Sequence, residues 1–180
     1  LQIDFYGAGA AALSIKEKVE TGKNHGVYLR DASGNVGRFL HKQTIETLTQ
    51  AGAVDNRGNV DIDTGAVILR SDVLTDLYKL INTDEAYRRF VNERARLSFY
   101  ADFLYPLASE STLEQFYREK PEGEFTPELH ECRTALWEVL SPYSMKLIRL
   151  SPASFIHFGT TKELLHLMTD GMDDYRFLGW

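Results

Sequence analysis

Five histidines, one cysteine and two strand-to-helix corners are where this chain carries residue types suited to chemistry. His25, His41, His130, His157 and His166 are spread widely and show no metal-ligand spacing, with His166 on a helical pattern beyond His157. Cys132 lies on the apolar side of a predicted helix, which assigns it to the core. A single cysteine excludes an intrachain disulfide and a multi-cysteine zinc site. No G-x-S-x-G elbow is present for serine-histidine-aspartate chemistry. Two corners remain. In FIHFGTTKELLHLM (155–168) an apolar run stops at Gly159, just after His157, and a helix pattern begins at once. In DTGAVILRSDV (63–73) a strand runs into a helix start. Open α/β sheets bind ligands beyond strand ends at such corners.

The elements that must position these residues can be read along the chain. LQIDF alternates like a strand, GAGAAA is small and flexible, and SIKEKVE fits either helix or strand. HGVYLRDASGNVGRFLHK (25–42) is two β-prone runs around the turn formers of DASGN, a hairpin with a five-residue loop. QTIETLTQAG reads as a short helix closed by Gly52, DNRGN as a turn and VDIDTGAVILR as a strand. Ser71 is expected to cap a helix burying Leu74, Leu77, Tyr78 and Ile81. A helical region over about 84–118 is expected to bury Phe90, Val91, Phe99, Phe103, Leu104 and Leu107. After the loop KPEGEF, Thr126 and Pro127 start a helix with Leu129, Cys132, Leu136, Val139 and Leu140 on one face. SMKLIRLS and SFIHF read as short strands. Thr160 and Glu163 form a capping box for a last helix that turns Leu164, Leu167 and Met168 inward. Strands and helices mix without a repeat, so the expected fold is α/β or α+β, one domain over 1–180 with a mixed sheet and flanking helices.

Composition narrows the function. A net charge of −6 without a Lys/Arg block argues against nucleic-acid binding. No apolar stretch approaches the roughly 20 residues that span a bilayer, and the start has no signal-peptide pattern. Cysteine usage suits the cytoplasm. The chain opens at Leu1 and stops on an apolar FLGW, as expected of a segment of something larger.

Three motifs in order, HGVYLRDASGNVGRFLHK, DIDTGAVILRSDVLTDL and FIHFGTTKELLHL, resemble the pyrophosphorylase part of the L-fucokinase/GDP-fucose pyrophosphorylase family, over about residues 20–170. More distantly they resemble the sugar-1-phosphate nucleotidyltransferases. The resemblance implies part of a Rossmann-like nucleotidyltransferase domain in which fucose 1-phosphate attacks the α-phosphate of GTP, releasing pyrophosphate and forming GDP-fucose. Such catalysis rests on cationic charge and positioning, usually with Mg²⁺. The family's N-terminal glycine-rich nucleotide loop has no counterpart, since GAGAAA lacks the expected basic residue. The kinase's ATP loop and the β-helix that often follows are also absent from these residues. The chain thus resembles the sugar-1-phosphate portion, with GTP entering through the missing half.

The resemblance assigns roles residue by residue. Lys42 matches the lysine that closes the hairpin and neutralises the sugar phosphate, with Gln43 in place of the usual proline. Asp63, Thr64 and Gly65 match a segment bordering the sugar, where a carboxylate accepts from hydroxyls and a glycine admits the ring. Asp102, in FYADFL, falls where an acidic helix residue approaches the sugar; on residue type alone it is equally a charge on an exposed face. His157, Gly159 and Thr160 form a wall at the strand-to-helix corner. Wider relatives tend to carry a metal-binding aspartate at the position of His157, and Mg²⁺ prefers oxygen. His157 is therefore read as a hydrogen-bond partner of sugar or phosphate, or as a half-buried structural histidine. Mg²⁺ is expected mainly outside this segment. The implied activity is that of a GDP-fucose pyrophosphorylase fragment, in nature fused to an L-fucokinase and inactive alone. A non-catalytic sugar-phosphate-binding or scaffold module, or a nucleotidyltransferase for another sugar 1-phosphate, are the alternatives.

Overall fold

GAGAAA and SIKEKVE join into one strand. β1 runs Ala10–Lys18 and only then makes a single helical turn, α1 (Val19–Gly22). The computed structural model describes residues 4–154, 156, 159–169, 171–173 and 176. Asp4 and Phe5 form no strand, and the rest of LQIDF and most of SFIHF lie outside the described residues. The hairpin forms where its turn residues put it, as β2 (Gly26–Arg30) and β3 (Val36–His41). α2 (Ile45–Gln50) follows, with Thr44 Oγ1 accepting from Thr47 N at 3.1 Å. β4 (Asn59–Leu69) leads into α3 (Ser71–Lys79).

The region expected to be helical over 84–118 is broken into pieces. α4 (Asp84–Phe90) is stopped by Asn92, whose amide donates to the carbonyls of Arg88 and Arg89. A π-helical turn (Phe99–Leu104), a 3₁₀ turn (Tyr105–Leu107) containing Pro106, and α5 (Leu113–Arg118) follow. Pro106 lacks an N–H, so a regular helix cannot run through it. α6 (Pro127–Leu140) starts as read, Thr126 accepting from Leu129 N at 3.0 Å. β5 (Met145–Arg149) and α7 (Thr161–Thr169) complete the described elements.

The strand order is β3-β2-β4-β1-β5, antiparallel except for the parallel β1–β5 pair. This is the expected mixed sheet with flanking helices. The core lies on both faces, as strand periodicity requires. Tyr28, Phe39, Leu104, Leu136, Leu140 and Met145 pack on one side, and Val27, Leu48 and Val60 on the other. β1 sits between β4 and β5, where the fully buried Ala10 and Ala12 share a cluster with Leu136 and Leu140 of α6. Small side chains there let the helix approach the sheet.

Four expected details differ. Arg70, not Ser71, holds the N-cap position of α3, and its side chain pairs with Asp72. On α3 the buried residue is Val73; Leu74 and Tyr78 are exposed and border an apolar groove. Val91 and Phe99 are exposed as well, while Leu104 and Leu107 are buried. On α7 only Leu167 turns inward, and Leu164 and Met168 face out. The capping box is present: Glu163 Oε2 accepts from Thr160 N at 2.8 Å, and Thr160 Oγ1 from Glu163 N at 3.3 Å.

Candidate functional site

The D-I-D of β4 carries two aspartates with different work. Asp61 is 5% exposed and ties three strands together. Arg149 of β5 reaches it with Nη2 2.7 Å from Oδ2, and Lys16 of β1 lies 3.4 Å away. Asp63, two residues on, stands beside a bulge. Ser14 pairs with Asp63 and Ala12 with Val67, so three residues of β4, Thr64–Ala66, oppose the single Leu13 of β1. Bulges of this kind bend a strand and re-aim its side chains. Two residues make it possible. Thr64 Oγ1 donates to the Leu13 carbonyl at 2.8 Å, closing the gap left in the ladder. Gly65 adopts φ +76°, a conformation that favours glycine. The hydroxyl of Thr64 is thus committed to β1, and its backbone is what it brings to the site.

β2 lies against β4 so that Gly26 meets Asp63. A Cβ at Gly26 would stand 3.1 Å from that of Asp63 and 2.6 Å from the Phe39 ring, so only glycine fits. Tyr28, fully buried two residues further, donates to Asp63 Oδ1 at 2.8 Å, and Gly65 N donates to the same oxygen at 2.9 Å. Burial pushes the Asp63 carboxyl above the usual carboxylate range, opposed by the Gly65 and Tyr28 hydrogen bonds and by His41 and His25. Burial likewise pushes the Tyr28 phenol upward, reinforced by Asp63. The tyrosine is therefore a permanent donor and fixes the carboxylate's orientation.

At the open end of the hairpin, Lys42 N donates to the His25 carbonyl at 2.9 Å, and Lys42 itself sits at φ +49°. Such a backbone costs a non-glycine residue on the order of 1 kcal/mol. Gln43 turns its side-chain amide back, donating to the His41 carbonyl at 3.1 Å. The His41 imidazole lies nearly parallel to the rings of Phe39 and Tyr100, with centroids 6.1 and 6.0 Å away. Burial and the adjacent Lys42 charge hold its pKa below the ordinary histidine value, opposed by Glu122 and Asp63. It is neutral at pH 7, able to donate from one nitrogen and accept at the other.

These parts surround one cleft of about 400 Å³, lined by Asn24, His25, Gly26, His41, Lys42, Asp63, Thr64, Gly65 and Tyr100. Lys42 and the consecutive Asp63, Thr64 and Gly65, distant from it in sequence, come together there. Asp102, Gly159 and Thr160 do not join them. Asp102 is fully buried and ion-paired to Arg133 at 2.8 Å, with its second oxygen accepting from Ser98 N at 2.6 Å. With no exposed surface and both oxygens engaged, it has nothing to offer a sugar, and it is also no exposed helix charge. Gly159 and Thr160 stand exposed at the start of α7 and do not line the cleft. His157 lies outside the described residues. Sequence reasoning missed His25, His41 and Tyr100. The first two were findable, because an antiparallel hairpin puts Gly26 opposite His41 and so brings His25 beside Lys42. Tyr100 carried no such signal.

The cleft holds one carboxylate, one ammonium, two imidazoles and a phenol. That set can bind hydroxyls and neutralise one phosphate. It is a poor match for Mg²⁺, which takes oxygen ligands in octahedral array. No group of three His, Cys, Asp or Glu residues able to hold a metal occurs among the described residues, and none of their helices is long and apolar enough to cross a membrane.

The Asp63 shift has a consequence for stability. Its folded pKa is raised, so the protonated form favours folding; that contribution is whole below the unfolded carboxylate pKa and is lost as pH rises through the folded one. Asparagine keeps the acceptor for Tyr28 and Gly65 but has no charge to bury. Urea melts should therefore show Asp63→Asn gaining on the native chain as pH rises from about 4 to 7. A difference constant across that range would mean that burial is not felt at Asp63.

Fold and cleft together define an α/β domain with a polar, ionisable cleft of small-molecule size, set where a hairpin end meets a bulged strand. The chain belongs to the fucose pyrophosphorylase domain family, whose model matches residues 1–180. It is similar to the human protein fucose-1-phosphate guanylyltransferase, with 28% identity over 190 aligned positions covering 93% of this chain and 31% of that protein. The chain therefore spans about a third of the length of the curated relative it matches.

Proposed function

We propose that this chain is the sugar-1-phosphate-binding portion of a GDP-fucose pyrophosphorylase, which converts GTP and fucose 1-phosphate to GDP-fucose and pyrophosphate. One observation carries the reading: in a member of this family, Lys42, Asp63 and the Gly65 bulge converge with His25 and His41 on one cleft. The similar human protein bears the same activity in its name. Lys42 neutralises the sugar phosphate, and Asp63, held by Tyr28, accepts from sugar hydroxyls. Gly65 lets the ring come close to the backbone. His25 and His41 supply further hydrogen bonds around the bound sugar. The 1-phosphate oxygen is thereby presented for attack on the α-phosphate of GTP, with pyrophosphate leaving.

GTP is received by the nucleotide-binding half, which these residues do not include. Because the cleft's own donors do not suit Mg²⁺, no step here runs through it, and any Mg²⁺ is assigned to the rest of the enzyme. In the parent chain the segment is joined to an L-fucokinase, whose product is the sugar 1-phosphate consumed here, and it works in the cytoplasm. An assay of the isolated chain with GTP and fucose 1-phosphate should detect no GDP-fucose, whereas the parent enzyme should form it. Robust turnover by the 180-residue chain would overturn its assignment as half a site.

A further inference from the structure

Asp102 and Arg133 are the most deeply buried charges described, at 0% and 1% exposure, and the cleft touches neither. What they hold is specific. The Asp102 carboxylate bonds Ser98 N, the residue that caps the π-helical turn, and Arg133 Nε of α6. Arg133 Nη1 then donates to the carbonyls of Phe116 and Glu119 at 3.0 and 2.9 Å. Asp102 thus ties the N-cap of the turn to α6, and Arg133 carries the link on to the end of α5. π-Helical turns are rare and need such support. Phe103 and the fully buried Leu104 pack its C-terminal part on the core, while Phe99, at its start, is exposed. An apolar pair could fill the same space and keep most of the stability; directed bonds add a fixed geometry.

Tyr100, two residues before Asp102, is what that geometry delivers. Its ring lies nearly parallel to His41 on β3, and its hydroxyl would sit 3.3 Å from a Cβ at Gly65 of the bulge. The side chain therefore stretches across the cleft from one wall to the other.

We propose that the buried Asp102–Arg133 pair is a positioning device that fixes the π-helical turn and so holds Tyr100 as a wall of the cleft, setting how a sugar ring fits against Gly65 and His41. Asp102 and Arg133 are positioning residues, acting through Tyr100. The ligand in this inference rests on the function proposed above; the placement of Tyr100 does not.

The test uses the full chain with Tyr100→Ala, Asp102→Asn and the paired Asp102→Leu/Arg133→Met, which removes both charges together and keeps the volume filled. Melting curves establish that each variant is folded. The first readout needs no ligand: the His41 ring resonances and their titration by NMR. Lys42, Glu122 and Asp63, the charged groups that face His41, are unchanged in all three variants. Loss of Tyr100 should shift the His41 resonances and relax the titration upward toward an ordinary histidine. The paired variant should reproduce that signature, and Asp102→Asn should show it in part. The second readout is fucose 1-phosphate affinity, expected to fall roughly tenfold for Tyr100→Ala and for the paired variant. A folded paired variant, or a folded Asp102→Asn should the paired one not fold, with native His41 signals would overturn the proposal. Failure of the native chain to bind fucose 1-phosphate would count against the ligand alone and leave the His41 comparison decisive.

Discussion

Lys42→Ala is expected to weaken fucose 1-phosphate binding by about tenfold to a hundredfold, the range for losing a charge-assisted contact to phosphate. Thermal stability should not fall with it. The ammonium makes no described hydrogen bond or ion pair, and alanine would sit at the same φ of +49°. Lys42→Arg should restore the charge and only part of the affinity, because the planar guanidinium has a different reach. Calorimetric titration beside a melting curve separates the two effects. Equal affinity in Lys42→Ala would remove the lysine from the site; a parallel loss of stability would make it a structural residue.

Asp102→Ala should act in the opposite way, with its main effect on the fold. Removing one partner of a fully buried pair leaves the Arg133 guanidinium unpaired and costs about 3–5 kcal/mol. For a domain of this size that lowers the melting temperature by on the order of 10 °C. The paired apolar replacement should recover most of the loss, since neither charge then remains to be desolvated. If Asp102→Ala melted like the native chain, the pair would be contributing neither stability nor geometry, and the positioning of Tyr100 would need another origin.

Much of the architecture was legible because it is written locally. The turn formers of DASGN set the hairpin, Thr126-Pro127 set the start of α6, and Thr160 with Glu163 set the capping box. The lysine and the D-T-G segment were also legible, since both belong to local motifs. Their meeting in one cleft was not: it depends on β2 pairing with β4, a long-range contact that no periodicity reveals. Asp102 illustrates the harder limit. A carboxylate in FYADFL reads as exposed or functional, and only the approach of Arg133 from 31 residues away makes full burial tolerable. Leu74 and Tyr78 fail differently. Their spacing does form an amphipathic face, but a pattern identifies an apolar surface without saying that anything covers it, and here the face borders an open groove. SIKEKVE was ambiguous because charged residues near the end of a central strand look like those of a helix; Lys16 is accommodated by Asp55 and Asp61.

The central claim is that the hairpin end and the β4 bulge together hold a sugar 1-phosphate. It is tested most directly by titrating the chain with fucose 1-phosphate while following the His25 and His41 ring resonances and the Gly65 amide by NMR. Saturable shifts at all three, reduced in Lys42→Ala and matched only weakly by free fucose, are the predicted result. Shifts confined to residues outside the cleft, or none at concentrations that saturate the parent enzyme, would contradict it.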